Sequence, residues 1–320
     1  MGQRANYIVK EGDKLTIHYN HWRANCIASD LYLGERRFLN FVNECQVDNE
    51  IMTELWIEGC VIIDISRRQL FFWSYEFRND TSLNEYYLKQ LVKKWPGWNL
   101  ERLKNRMYDV EKILSIDYIS KQEKPEFCSK SKEEIVNDKI EKFEATLIVI
   151  KQSDRIFIKR TAYIPVESII DYGEEVIQLL LDKPEYALPM EEEAYPCECI
   201  IIDTVQRHII IDSSKFGLWE QNAMKWNDYN FTMGDYGRIE TLKLAGLDVA
   251  NLEMPMDKIR EQFKGLVRQV DGFDPSKWAN KLLKENNDIQ FNPDFFDSVR
   301  PQKTSLEKMK ERIKKILRVK

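Results

Sequence analysis

The stretch Cys60-Val61-Ile62-Ile63-Asp64-Ile65-Ser66-Arg67-Arg68 returns as Cys199-Ile200-Ile201-Ile202-Asp203-Thr204-Val205-Gln206-Arg207, 139 positions further along the chain. In each copy a short apolar run ends on Asp, passes through a polar turn and enters a second apolar run, Gln69 to Tyr75 or His208 to Asp212. That is the pattern of a hairpin with a buried first strand. A period this long lies far above the 20 to 50 residues of solenoid repeats, so it implies two whole lobes rather than an array of small units.

Other landmarks extend the match. The same offset carries Ser74 onto Ser213, Leu103-Lys104 onto Leu242-Lys243 and Asp109-Val110 onto Asp248-Val249. Upstream an offset of 141 carries Asp13 to Ile17 onto Asp154 to Ile158, and Asp30 onto Asp171. Each copy then reads as ββαββα. In the first, Asn6 to Val9 and Leu15 to Tyr19 flank a Gly12 turn, Leu31 to Val42 is a helix capped by Asp30, Trp56 to Asp64 and Gln69 to Tyr75 form the second hairpin, and Leu83 to Lys94 is a helix stopped by Pro96-Gly97. Leu100 to Leu114 is a further helical or mixed segment. In the second, Ala145 to Ile150 pairs with Arg155 to Thr161, Pro165 to Leu181 is the helix, and Glu198 to Asp203 pairs with His208 to Asp212. The expected fold is α+β: an internal duplication forming two pseudo-symmetric antiparallel-sheet lobes with helices on one face, the other faces free to pack together, plus a helical C-terminal extension. The boundaries follow as 1-120 and 141-252 for the lobes, 121-140 for the linker, and 253-320 for the extension. In both copies the Asp of the repeated motif is expected to support its turn and to pair with the Arg four residues on.

At 43% hydrophobic and 32% charged residues, with a formal net charge of -5, the chain has the composition of a globular protein. No apolar run reaches the length of a membrane span, and Met1-Gly2-Gln3-Arg4-Ala5-Asn6 lacks the apolar core of a signal peptide, so a cytoplasmic location is expected. Six cysteines in this length do not make a disulfide framework, and Cys197 with Cys199 lacks a second pair at metal spacing. Neither metal nor cofactor is expected. The acidic run Glu191-Glu192-Glu193 reads as a solvated loop. The end of the chain differs from the rest. Thr304-Ser305-Leu306-Glu307 is a capping box opening an amphipathic helix, and residues 303-320 hold eight basic side chains against Glu307 and Glu311, a local charge of +6. The remaining -11 makes nucleic-acid binding an expectation only for residues 303-320, which could also dock on the acidic body or touch an anionic membrane.

After duplication, a site belonging to one lobe should stand where the copies disagree. His18-Tyr19-Asn20-His21-Trp22-Arg23-Ala24-Asn25 holds two of the three histidines, whereas the other copy has Lys159 to Val166. Alternation along a strand puts His18, Asn20 and Trp22 on one face and Tyr19, His21 and Arg23 on the other. His18, His21, Arg23 and Arg4 are the candidate catalytic residues, a histidine acting as acid or base and an arginine holding an anion. Tyr19, Asn20, Trp22, Asn25 and Trp98 are candidate binding residues. Phosphate-cradling glycine loops, His-Glu-x-x-His, Gly-x-Ser-x-Gly and kinase signatures are absent.

The opening Gly2-Gln3-Arg4-Ala5-Asn6, the element Tyr19-Asn20-His21-Trp22 followed by Ala24-Asn25, and Trp95-Pro96-Gly97-Trp98 resemble a group of uncharacterised bacterial proteins that begin Gly-Gln-Arg-Ala-Asn and carry a Tyr-x-His-Trp element. The resemblance covers about the first 110 residues and brings no activity with it. The expected function is an intracellular bacterial interaction protein, immunity-like or regulatory, which meets a protein partner through an acidic surface supplied with the eight tryptophans. The alternatives are a hydrolase or transferase centred on His18 and His21, and a nucleic-acid or membrane-surface binder acting through the basic tail.

Overall fold

The computed structural model describes residues 3-75, 77, 81-127, 130-136, 145-162, 164-187, 198-249, 252-268 and 275-285. Two compact units are formed, one from Met1–Phe77, Glu85–Arg102 and Arg260–Lys320, the other from Arg78–Asn84 and Leu103–Ile259. In the first, β1 (Ala5–Glu11) and β2 (Lys14–Asn20) form a hairpin whose turn uses Gly12 at φ 62. After α1 (Ile27–Tyr32) and α2 (Glu35–Glu44) come β3 (Gln46–Asp48), β4 (Gly59–Asp64), β5 (Gln69–Ser74), α3 (Thr81–Leu91) and β6 (Asn99–Arg102). These strands make a six-stranded sheet in the order β3-β2-β1-β4-β5-β6.

The second unit takes in α4 (Arg106–Leu114) and α5 (Lys132–Val136), then β7 (Ala145–Gln152), β8 (Arg155–Ala162), α6 (Val166–Tyr172), α7 (Val176–Leu181), β9 (Glu198–Asp203), β10 (His208–Ile211), α8 (Leu218–Asn222), β11 (Asn230–Met233) and α9 (Arg238–Leu244). Its five strands run β11-β10-β9-β7-β8, the same order as β6-β5-β4-β1-β2. The stretch expected as a bare linker carries α5, and its Ile135 is buried in the core of this unit. The helices α10 (Met256–Arg268) and α11 (Pro275–Glu285) follow, and Phe263 of α10 packs edge-on against Tyr32 and Tyr86 at 5.4 and 5.2 Å.

Both sheets are mixed, which corrects the antiparallel expectation. The two hairpins of each unit are antiparallel, but β1 lies parallel to β4 and β5 to β6, and likewise β7 to β9 and β10 to β11. A hairpin is legible locally; the parallel pairings close through helical crossovers, which leave no short-range signature. Nor are helices confined to one face. In the second unit Ile148, Ile150, Ile200 and Ile202 pack towards α6 and α7, while Leu147, Val149, Cys199 and Ile201 are covered by Ile239 and Leu242 of α9. Coverage on both faces explains why β4 and β9 read as continuous apolar runs.

The register between the two units also departs from the expectation. β1 and β2 match β7 and β8 at an offset of 141, and the stretch from α1 to β5 matches at 139. From β6 onward the offset is 131, because Gln69 pairs with Asn99 where His208 pairs with Asn230. Leu103-Lys104 therefore corresponds to Gly234-Asp235, and Asp30 to Ile169. The eight-residue change falls where the eleven-residue α3 is replaced by the five-residue α8.

Gly34 and Gly173 split what read as single helices, Leu31 to Val42 and Pro165 to Leu181. Both stand at φ 88, and a Cβ there would lie 3.1 Å from the Lys94 carbonyl oxygen or 3.0 Å from that of Lys225. Asp30 sits inside α1 and caps nothing. The repeated Arg is explained by packing: Arg68 and Arg207 both take positive φ at the turn, lie over the rings of Trp98 and Tyr229, and pair with Glu35 and Glu174 at 3.3 and 3.6 Å, not with the motif's Asp. The Asp does support the turn. Asp64 accepts from the Arg67 amide and Asp203 from the Gln206 amide, both at 2.8 Å. Trp95 and Trp226 donate their indole N–H to the carbonyls of Leu31 and Ile170, each at 2.8 Å, fixing equivalent helix contacts in the two units.

Candidate functional site

The octapeptide that distinguishes the first copy is divided by the sheet. Tyr19 pairs with Asn6 and His18 with Tyr7, so the two side chains leave β2 on opposite faces. Tyr19 faces the side on which Arg4, Trp56 and Glu58 gather. The Arg4 guanidinium stacks over the Trp56 ring at 4.8 Å and donates to the Tyr19 hydroxyl, whose oxygen lies 2.6 Å from His21 Nδ1; the Arg4 amide donates to Glu58 Oε2 at 2.8 Å. His21 in turn packs against Trp22 with ring centroids 4.3 Å apart. Burial, and next the Arg4 charge, hold the His21 imidazole below its ordinary pKa, so it is neutral at physiological pH. Burial raises the Tyr19 hydroxyl.

Around this chain of contacts runs an acidic, partly apolar surface. Glu44 to Glu58 carries five carboxylates, Glu44, Asp48, Glu50, Glu54 and Glu58, and no Lys or Arg. Within it Leu55 is 73% exposed, Val47 62% and Trp56 53%. Every residue of the edge strand β3 is exposed, and Asp48 is close enough to Tyr19 to raise its hydroxyl pKa. Arg and Trp beside exposed aliphatic side chains, ringed by carboxylates, is the composition of an interface centre with a charged rim.

The remaining predicted residues are elsewhere. His18 is buried on the helix-covered face, with Nδ1 unpartnered among the described residues, so it shares no site with His21. Asn20 is spent on its own turn, accepting from the Trp22 amide at 3.1 Å. Asn25 is buried, and Trp98 stands in the helix-side core, edge-on to Trp95 at 5.2 Å. Arg23 reaches the interior, where it forms a two-pronged ion pair with buried Asp30 and lies over Phe41 at 5.2 Å. Burial outweighs the Arg23 charge and pushes the Asp30 carboxyl up to about 6; Asp30 in turn holds Arg23 charged. The Tyr7 hydroxyl, fully buried and unpartnered among the described residues, is raised by burial and by Asp30. The second unit has Ile164 three residues past Thr161 and Ile169 three past Val166, both in its core, where the first unit has Arg23 three past Asn20 and Asp30 three past Ile27.

A polar cluster in the second unit carries no signal in the octapeptide. At one end of its sheet Lys215 is held between Glu167 and Glu198 at 2.7 and 2.6 Å, and Glu198 also accepts from the Val166 amide. Asp235 accepts two hydrogen bonds from Arg106, at 2.7 and 3.0 Å, and one from the Ser214 amide. Asp212, which accepts from the Cys199 amide at 3.0 Å, has its carboxyl pushed up to about 7 by burial. At the 139 offset the first unit has Ala28, Gly59 and Trp73 where the second has Glu167, Glu198 and Asp212, so the contrast stands in the sequence. Glu167 Oε2 is buried without a partner among the described residues, while Ser214 and Asp235 tie loop 212-217 to residues 105 and 106.

Cys26, Cys45, Cys60 and Cys199 are buried free thiols, and burial raises Cys45 to about 12, far from thiolate chemistry at neutral pH. Among the described residues no group of three His, Cys, Asp or Glu could hold a metal ion, and no helix is long and apolar enough to cross a membrane. Gly2, Cys128, Glu191 to Glu193, Cys197 and the basic segment 303-320 lie outside the described residues. Comparison with protein-family models, with curated proteins and with solved structures gives no match.

Proposed function

We propose that this chain is an interaction protein, and that its recognition surface is the edge of the six-stranded sheet formed by β3, loop 49-58 and the Arg4, Tyr19, His21 and Trp56 side chains. The carrying observation is the exposure of Leu55 and Trp56 inside a fifteen-residue segment that has five carboxylates and no basic residue. Among the described residues nothing covers these apolar side chains, and an exposed tryptophan braced by an arginine is a pre-ordered anchor for a partner. The partner is a protein with a basic face, since like charge would oppose any acidic one.

The two units are read as diverged copies of one ancestral unit. Their common strand order, the paired indole-to-carbonyl bonds and the paired Arg-over-ring contacts support that reading. In this reading the second unit kept the architecture, and among its described residues no strand corresponds to β3. Affinity capture from the native source tests the function. Wild-type chain should retain a stoichiometric basic partner, and Leu55→Ala/Trp56→Ala should lose it while Met224→Ala, a fully exposed site in the second unit, does not. Equal capture by all three would overturn the assignment.

A further inference from the structure

The outer edge of β3 has a consequence for how a partner is held. Among the described residues β3 is the terminal strand of its sheet, bonded on one side to β2, and its three residues Gln46, Val47 and Asp48 are all exposed. A terminal strand presents unpaired backbone N–H and C=O groups to any extended chain laid beside it. In the second sheet β8, the counterpart of β2, is met by the segment around Tyr186 instead of by a described strand. There the Tyr186 amide donates to the Ile158 carbonyl of β8 at 2.7 Å, Arg160 lies over the Tyr186 ring, and buried Lys159 donates to the carbonyls of Leu181 and Lys183. Among the described residues, the three-residue β3 thus has no further strand beside it, and it lies next to the proposed recognition surface.

Resting on the interaction reading above, we infer that β3 accepts a basic, extended protein segment as a seventh strand of its sheet. Register decides which side chains such a segment needs. Asp48 pairs with Ile17 and Gln46 with Tyr19, so both face the side of Arg4 and Trp56; Val47 pairs with His18 and faces the other side, 62% exposed. A strand added beside β3 places alternate residues on the two faces. On the Asp48 face it meets carboxylates, which favour Lys or Arg. On the Val47 face it meets an uncovered aliphatic side chain, which favours Val, Ile or Thr. A second copy of this chain is a poor occupant, because β3 laid against β3 would bring Glu44, Asp48 and Glu50 against their own kind.

The test uses the full chain and a seven-residue peptide alternating Lys and Val, blocked at both ends. Expected are saturable binding that weakens with salt, slowed amide exchange at residues 46-48, and competition with the partner captured in the preceding experiment. Two N-methylated peptides separate strand addition from mere charge attraction, since the lysine amides and the valine amides face opposite edges of the peptide. One of the two should bind at least about tenfold more weakly and the other should not. Equal binding by both, or protection of 46-48 by concentration-dependent dimerisation without peptide, overturns strand addition. If the alternating peptide fails while Leu55→Ala/Trp56→Ala still abolishes partner capture, strand addition alone falls; if that variant captures normally, the interaction surface falls with it.

Discussion

Replacing Arg23 and Asp30 together should leave the first unit as stable as before, or more so, although removing either alone should damage it. In the second unit the stretch between β8 and α6, and α6 itself, carry the buried Ile164 and Ile169, so an apolar pair is compatible with this architecture. Asp30→Ala strips the buried guanidinium of both carboxylate acceptors of its hydrogen bonds, at a cost of about 3 to 5 kcal/mol, whereas exchanging a buried ion pair for apolar residues of similar bulk is neutral or stabilising by about 1 to 4 kcal/mol. Valine at both sites, R23V/D30V, copies the β-branched chemistry with a volume nearer to Arg plus Asp. The pH dependence adds a second handle. The rise of the Asp30 carboxyl from 3.8 to about 6 corresponds to about 3 kcal/mol. Its sign is destabilising at neutral pH: the folded carboxyl binds a proton more readily than the unfolded one, so the penalty is absent below about 4 and complete above about 6. Wild type should therefore gain stability relative to R23V/D30V as the pH falls from 7.5 to 4. Urea unfolding of wild type, D30A and R23V/D30V, followed by tryptophan fluorescence at both pH values, measures all of this. The reasoning is refuted if D30A lies within about 1 kcal/mol of wild type, or if the double variant is as unstable as D30A.

Gly34→Ala and Gly173→Ala should each cost at least about 1 kcal/mol, because a Cβ at φ 88 is strained and meets a backbone carbonyl, while Gly246→Ala, with open space around it, should cost less; thermal unfolding ranks the three. Asp212→Asn keeps an oxygen for the Cys199 amide and removes the buried charge. With the folded carboxyl at about 7 against 3.8, it should stabilise the protein at pH 8 by up to about 4 kcal/mol and leave it unchanged at pH 4, as read from paired denaturant titrations. Lys159→Met should destabilise the second unit by about 2 to 4 kcal/mol, since the carbonyls of Leu181 and Lys183 lose their donor, and hydrogen exchange at 181-183 should rise.

The hairpins were legible because they are local: Glu198 to Asp203 is both the apolar run and the strand. The crossovers were not, since nothing in β1 or β4 announces that they lie parallel. The constant 139 offset misled past Ser74 because coincidences such as Leu103-Lys104 with Leu242-Lys243 look like register, while the shortening of α3 into α8 leaves no mark in composition. Strand alternation separated His18 from Tyr19 correctly, but β2 ends at Asn20, so extending it to Trp22 and Arg23 failed. Arg23 turned inward to Asp30, a contact across a turn and a helix that spacing does not display. Trp56, half exposed in an acidic loop, was hidden by the expectation that it begins a strand.

Hydrogen exchange on the chain bound to its captured partner tests the recognition surface most directly. The account predicts a footprint over residues 44-58, extending to Arg4 and to Tyr19 through Trp22, with loops 204-207 and 223-225 of the second unit unchanged. Protection at those second-unit loops, with 44-58 exchanging as in the free chain, would contradict it.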